Sequence, residues 1–188
     1  MALPRYVVNL LLMALPDSRA SGLKAWLLRL AGVEIGPGAH VCSGVKFMTT
    51  GAVRIGEGSW VGHACLMIGG RARISIGSNV DIGPRVTIVT GSHEVASDGE
   101  RAAGRGMSTD IVIGDGAWIG ASSTILGGAH LGGRCIVAAG SVVKGCWPDG
   151  SVIGGVPARP LRLGGPAGAD TQPARSAGVA CFQPGSDE

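Results

Sequence analysis

An aliphatic residue followed by a small one recurs every six residues along most of this chain, and that period constrains the fold more than any other feature. The hexads read IGPGAH from Ile35, VCSGVK from Val41, IGEGSW from Ile55, VGHACL from Val61, IGSNVD from Ile76 and IGPRVT from Ile82. After a break they continue as IGDGAW from Ile113, IGASST from Ile119, ILGGAH from Ile125, LGGRCI from Leu131 and VAAGSV from Val137. Three hexads make an eighteen-residue coil, and the strongest starts (Ile35, Ile55, Ile76, Ile113, Leu131) mark successive coils with insertions between some of them. A triangular solenoid is expected. Each short strand would point its aliphatic residue into the prism, the next residue would be small because it sits at a crowded corner, and Gly or Asn would tolerate the turn's backbone angles. Stacked coils would then form three parallel sheets.

Composition narrows the alternatives. Glycine supplies 34 of 188 residues without a Gly-X-Y period, which excludes a collagen-like chain. A net charge of +3, 4% aromatic residues and no basic cluster with interleaved rings argue against a nucleic-acid partner. The five cysteines are odd in number and contain no CxxC pair, which argues against a disulfide framework or zinc knuckle and favours a reducing, cytoplasmic setting.

The flanks carry no hexads. Residues 1–33 are expected to form one or two helices that cap the first coil, because GLKAWLLRLAGV from Gly22 has apolar residues at helical spacing. The apolar run from Val7 to Leu15 is too short to span a bilayer, which takes ~20 residues. It reads as a helix packed on the body, a helix resting on the inner membrane face, or the core of a signal peptide. The solenoid domain is expected over 34–163, closed by PARPLRL, and the Gly-, Pro- and Ser-rich residues 164–188 are expected to be a disordered tail. The one long break in the repeat, a polar loop insertion over 94–110, hangs directly off His93. Such an insertion in an economical solenoid usually serves function.

The segments VDIGPRVTIVTGSHEV, IVIGDGAWIGASSTILGGAHLGG, AAGSVV and GGVPARPLR resemble the hexapeptide-repeat O-acetyltransferases, in the branch of the maltose, galactoside and colanic-acid-type exopolysaccharide enzymes. The resemblance runs from Ile55 to Arg159 and implies an all-β fold, a left-handed parallel β-helix. The hand comes from the resemblance, because the crossover rule for parallel strands taken alone favours the right. It further implies acetyl-CoA as acyl donor, no metal, and a homotrimer with active sites between subunits. His93 matches the family's catalytic histidine, and a base near neutrality is what an alcohol needs before it can attack a thioester. Trp118, Ala121 and Ala139 match positions beside the pantetheine arm, while Lys144, Arg159 and Arg162 match the region near the phosphates. Many relatives read Thr-Lys where this chain has Lys144-Gly145, so that lysine is displaced by one position.

On the acceptor side the chain departs from its relatives. His63 stands where sugar-modifying members carry an asparagine, and Arg71 lies near the place of an acidic residue. His63 is expected to line the acceptor pocket, and a backbone carbonyl rather than Glu94 is expected to orient His93, because adjacent side chains on extended backbone point apart. The implied acceptor is a hydroxyl of a sugar or cell-surface glycan precursor, with serine or antibiotic acetylation and a non-catalytic scaffold as rivals. A γ-type carbonic anhydrase is disfavoured, since no histidine follows His93 at the required spacing.

Overall fold

The hexad aliphatics form three buried ladders, one for each side of a prism. In sheet A, Ile35, Ile55, Ile76, Ile113 and Leu131 are successive partners. In sheet B the ladder is Val41, Val61, Ile82, Ile119, Val137 and Ile153. In sheet C it is Phe47, Met67, Ile88, Ile125 and Val143. All these side chains are buried, so one continuous apolar column runs down the solenoid. The computed structural model describes residues 3–17, 19–96 and 100–162; the tail expected from Gly164 lies outside them. Sheet A has six strands, sheet B seven and sheet C five, parallel except for the final strand, Ala158–Arg162, which folds back on Val152–Gly155.

The corners explain the small second residue of each hexad. A Cβ on Gly56 would lie 2.4 Å from the Gly77 carbonyl oxygen of the next coil, and one on Gly36 would lie 2.5 Å from the Glu57 nitrogen. The expectation that Gly or Asn fills the left-handed turn position holds at Gly58 and Asn79, but Ala64, Arg85, Ser122 and Arg134 also have positive φ. Bonds between coils hold them there: Arg85 N–H donates to the His63 carbonyl (2.8 Å) and Ser122 N–H to that of Pro84 (2.9 Å). The stack outweighs the modest cost of the left-handed region for a single residue.

Two helices, α1 (Leu3–Ala14) and α2 (Ser21–Leu30), cover the first coil. Sheet C begins at Lys46–Thr49, whose outer edge would otherwise offer unpaired backbone groups. Asn9 of α1 takes the place of a neighbouring strand: its Oδ1 accepts from Phe47 N–H (3.0 Å) and its Nδ2 donates to the Phe47 carbonyl (3.2 Å). Arg5 is buried and donates to four carbonyls, those of Thr49 (2.7 Å), Gly51 (2.8 Å), Ala31 (3.3 Å) and Gly32 (3.2 Å). Arg5→Leu would strand these acceptors, and we expect a loss of about 3 kcal/mol, read as a lower thermal midpoint.

Three of the cysteines belong to the interior of the solenoid. Cys42, Cys65 and Cys135 are free and buried, and burial pushes the Cys65 thiol up to about 11, so they act as small hydrophobes. Cys146, by contrast, is disulfide-bonded.

Candidate active site

The polar break after the third coil carries regular strand pairing. Gly91–Val95 pairs antiparallel with Ala103–Ser108 to make a hairpin at the corner between sheets C and A. His93 lies on the first strand opposite Gly106, just before a register shift between His93 and Val95. With no side chain at Gly106, the imidazole Cε1 sits 3.8 Å from where a Cβ would be. His93 Nδ1 lies 3.1 Å from the Gly104 carbonyl oxygen. A carbonyl only accepts, so this bond requires the proton on Nδ1 and leaves Nε2 with its lone pair. The orienting group is thus a backbone carbonyl of the hairpin, as expected, and not Glu94.

Trp118, Ala121 and Ala139 come together in one apolar groove of about 380 Å³ with Gly83, Pro84 and Ile136. The groove runs across three successive coils at the corner between sheets B and C. Gly83 and Gly120 are small because their corners are crowded, and with Ala121 and Ala139 beside them a channel is left open to an extended chain. Arg159 is exposed on the last strand of sheet B, opposite Gly154, toward the lower end of that groove. Arg162 ends the same strand opposite Val152, its side chain lying outside the described residues. Lys144 is exposed at the corner between sheets C and A, after Val142–Val143, and is not gathered with the groove.

His63 borders a second, more polar pocket of about 470 Å³ that also contains Asp17, Trp60 and Asp81 and shares Gly83, Pro84 and Trp118 with the apolar groove. Its Nδ1 lies 3.1 Å from Asp17 Oδ1, and Ser43 N–H donates to the same oxygen at 2.8 Å. These two hydrogen bonds, that to His63 first, hold the Asp17 carboxyl below its usual range. Asp17, Trp60 and Asp81 are the pocket residues that sequence reasoning missed. Two of them were legible, because the sixth positions of IGPGAH, IGEGSW, IGSNVD and IGDGAW are successive partners in sheet B: His40, Trp60, Asp81 and Trp118. They make one outward column, in which His40 stacks on Trp60 with ring centroids 4.0 Å apart. Asp17 had no such signal, since it lies between the two helices.

The site residues therefore fall at two corners of the prism. His93 and Lys144 share the corner between sheets C and A, while His63, Trp118, Ala121 and Ala139 share the one between sheets B and C. A single chain does not bring the imidazole to the groove.

Comparison with known proteins agrees with this architecture. The bacterial transferase hexapeptide model (six repeats) matches residues 110–145. The chain is 33% identical over 140 residues to the galactoside O-acetyltransferase of Escherichia coli K12, covering 72% of this chain and 66% of that protein. It is 30% identical over 139 residues to a protein of the same organism named as a colanic acid biosynthesis acetyltransferase, WcaF, covering 74% of each. Among solved structures, a hexapeptide-repeat acetyltransferase of Vibrio cholerae O1 biovar eltor complexed with acetyl coenzyme A superposes with a TM-score of 0.71 at 29% identity, covering 85% of each chain. The matches span 55%, 66% and 40% of the lengths of the first three curated relatives, less than two thirds of each. With the shared left-handed parallel β-helix and the extent of the WcaF match, the chain belongs to the hexapeptide-repeat acetyltransferases.

Proposed function

We propose that the protein transfers the acetyl group of acetyl-CoA to a hydroxyl of a sugar or cell-surface glycan precursor, with His93 as general base, in the cytoplasm at the inner face of the membrane. The observation that carries this reading is the His93 bond to the Gly104 carbonyl, which leaves Nε2 as the proton acceptor. In the reaction Nε2 takes the acceptor's hydroxyl proton as the oxygen attacks the thioester carbon. The tetrahedral oxyanion forms, the C–S bond breaks, and the imidazolium returns the proton to the departing thiolate of CoA. The products are an acetyl ester and free CoA.

The pantetheine arm lies in the groove of Trp118, Ala121 and Ala139, where an extended chain can approach backbone closely. Arg159, Arg162 and Lys144 meet the phosphates, the guanidinium groups by forked hydrogen bonds. Because His93 and the groove occupy different corners, the working site forms between chains. A head-to-tail contact that closes into a ring satisfies every corner, and the homotrimer is that ring. No metal takes part in this scheme.

The polar pocket is the acceptor site. Two indoles, from Trp60 and Trp118, offer flat apolar faces to a pyranose ring, while His63, Asp17 and Asp81 accept or donate hydrogen bonds to its hydroxyls. A lipid-linked glycan acceptor also suits membrane contact through the N-terminal helices. The test is an acceptor screen with acetyl-CoA, read as free thiol release, over neutral sugars, sugar nucleotides, lipid-linked sugars, serine and antibiotics, followed by locating the acetyl group. Turnover is expected with a sugar acceptor. Turnover confined to serine or an antibiotic would replace the glycan reading, and acetyl-CoA that is neither bound nor consumed would favour a scaffold.

A further inference from the structure

The two cap helices pack Val8, Leu12 and Leu28 into the core but also turn charged and amide groups inward and leave a second set of large apolar side chains facing out. A helix that caps a soluble body normally buries its apolar stripe and leaves its polar residues in water. In α1 the side chains turned to the solenoid include Arg5 and Asn9, and in α2 Lys24 is fully buried. All three are engaged there: Arg5 and Asn9 hold backbone of the first coil, and Lys24 Nζ donates to the Asp17 carbonyl (2.6 Å) and to Ser43 Oγ (3.2 Å). These bonds fix which face of each helix looks outward. That face carries Tyr6, Val7, Leu10 and Met13 of α1 with Trp26 and Leu30 of α2, exposed by 46% to 63%. Single exposed leucines are ordinary, but adjacent helices presenting this many large apolar side chains make a surface that calls for a partner.

The charge of the same region identifies the partner's chemistry. Residues 3–30 contain Arg5, Arg19, Lys24 and Arg29 against one carboxylate, Asp17. Asp17 is bonded to His63, and neither helix contains an acidic residue. Arg19 is exposed in the connection between the helices, whereas the Arg29 guanidinium donates to the Ile35 carbonyl (3.2 and 2.9 Å) in a cleft with Glu34, so Arg19 supplies the basic border of the apolar face. A second copy docked face to face through a two-fold axis would bring like charges together, whereas an anionic lipid surface complements both features. Tyr6 and Trp26 add rings of the kind that settle at the boundary between headgroups and acyl chains. Neither helix is long and apolar enough to cross a membrane; at 12 residues, α1 is about 18 Å long.

We propose that the outer face of α1 and α2 is a membrane seat that inserts its apolar side chains among acyl chains and borders them with Arg19 against anionic headgroups. This deepens the membrane contact proposed above and is independent of the chemistry at His93. Both helices cover the first coil, so the seat lies at the solenoid's N-terminal end. In a trimer with parallel solenoids, three seats face the same plane and bind together more tightly than one. The acceptor pocket includes Asp17, from the connection between the helices, so seating the helices brings that pocket close to the bilayer surface.

The test is flotation of the full-length protein with phosphatidylcholine vesicles, with and without about one-quarter phosphatidylglycerol. The unmodified protein is expected to float with the anionic vesicles and several-fold less with neutral ones or in high salt. The triple variant Val7→Ser, Leu10→Ser, Trp26→Ser alters only exposed side chains and is expected to bind at least about tenfold more weakly. Arg19→Gln should weaken binding to anionic vesicles alone. Thermal unfolding and acetyl-CoA binding of each variant should match the unmodified protein, which separates failure of the seat from failure of the fold or of the proposed reaction. Absence of flotation, or equal flotation of the triple variant, overturns the proposal. So does a larger assembly in lipid-free solution that the triple variant dissolves without any vesicle binding, because a second copy would then be the occupant.

Discussion

His93→Ala is expected to lower acetyl transfer by about 10²- to 10⁴-fold, the range for losing a positioned general base, while leaving assembly and acetyl-CoA affinity unchanged. The side chain is exposed on a hairpin strand and, among the described residues, bonds to the Gly104 carbonyl of the same hairpin. Removing it creates no buried cavity and leaves no buried donor stranded, so the solenoid has no reason to weaken. Its loss should fall on kcat, since the proton moves only as the oxygen attacks. Single-turnover thiol release measures that step, and calorimetric titration with acetyl-CoA measures what should not change. A variant with near-normal turnover would remove His93 from the mechanism.

Filling the groove should have a comparably large effect through a different constant. Ala121→Phe places a ring where Trp118, Ala139, Gly83 and Pro84 leave an open channel, and we expect acetyl-CoA affinity to fall by about 100-fold or more because the pantetheine arm loses its path. The fold should tolerate the change, because Ala121 is half-buried and is the third residue of its hexad, a place held by Glu57 and His63 in an earlier coil, rather than the crowded second residue. Equilibrium titration checks the affinity and thermal unfolding checks the fold. The contrast matters: His93→Ala keeps donor binding and loses transfer, whereas Ala121→Phe loses donor binding and keeps the base.

The solenoid was legible because its physics repeats. Every coil imposes the same two demands, an aliphatic side chain inside and almost none at the corner, and Ile55-Gly56 and Ile113-Gly114 state both in two residues. The groove was legible for the same reason: it is a row of corner positions. What the period could not show was anything held by residues outside it. Asp17 reaches His63 across the helical cap, and no spacing rule links a helix connection to a corner of the second coil. The hairpin over Gly91–Val95 and Ala103–Ser108 read as an irregular polar loop because nearly all its residues are exposed, so it lacks the alternation that marks a half-buried strand. The cap helices were legible as helices, but not the face they bury. Their apolar spacing pointed to helices correctly, but the face turned to the body is held by Arg5, Asn9 and Lys24, and no sequence period distinguishes a leucine stripe that packs inward from one that faces out.

The two corners also explain how few groups one chain needs to supply. In the proposed reaction each chain offers a base at one corner and a donor groove at another, and a closed ring pairs each base with a neighbour's groove. Mixing the two inactive variants tests this arrangement directly. His93→Ala and Ala121→Phe chains, co-refolded in equal amounts, form rings in which some junctions pair an intact His93 with an intact groove from the neighbour. Random assembly predicts recovery of about a quarter of the unmodified activity. Were the site contained within one chain, no chain in the mixture would hold both parts, and the mixture would stay as inactive as its components.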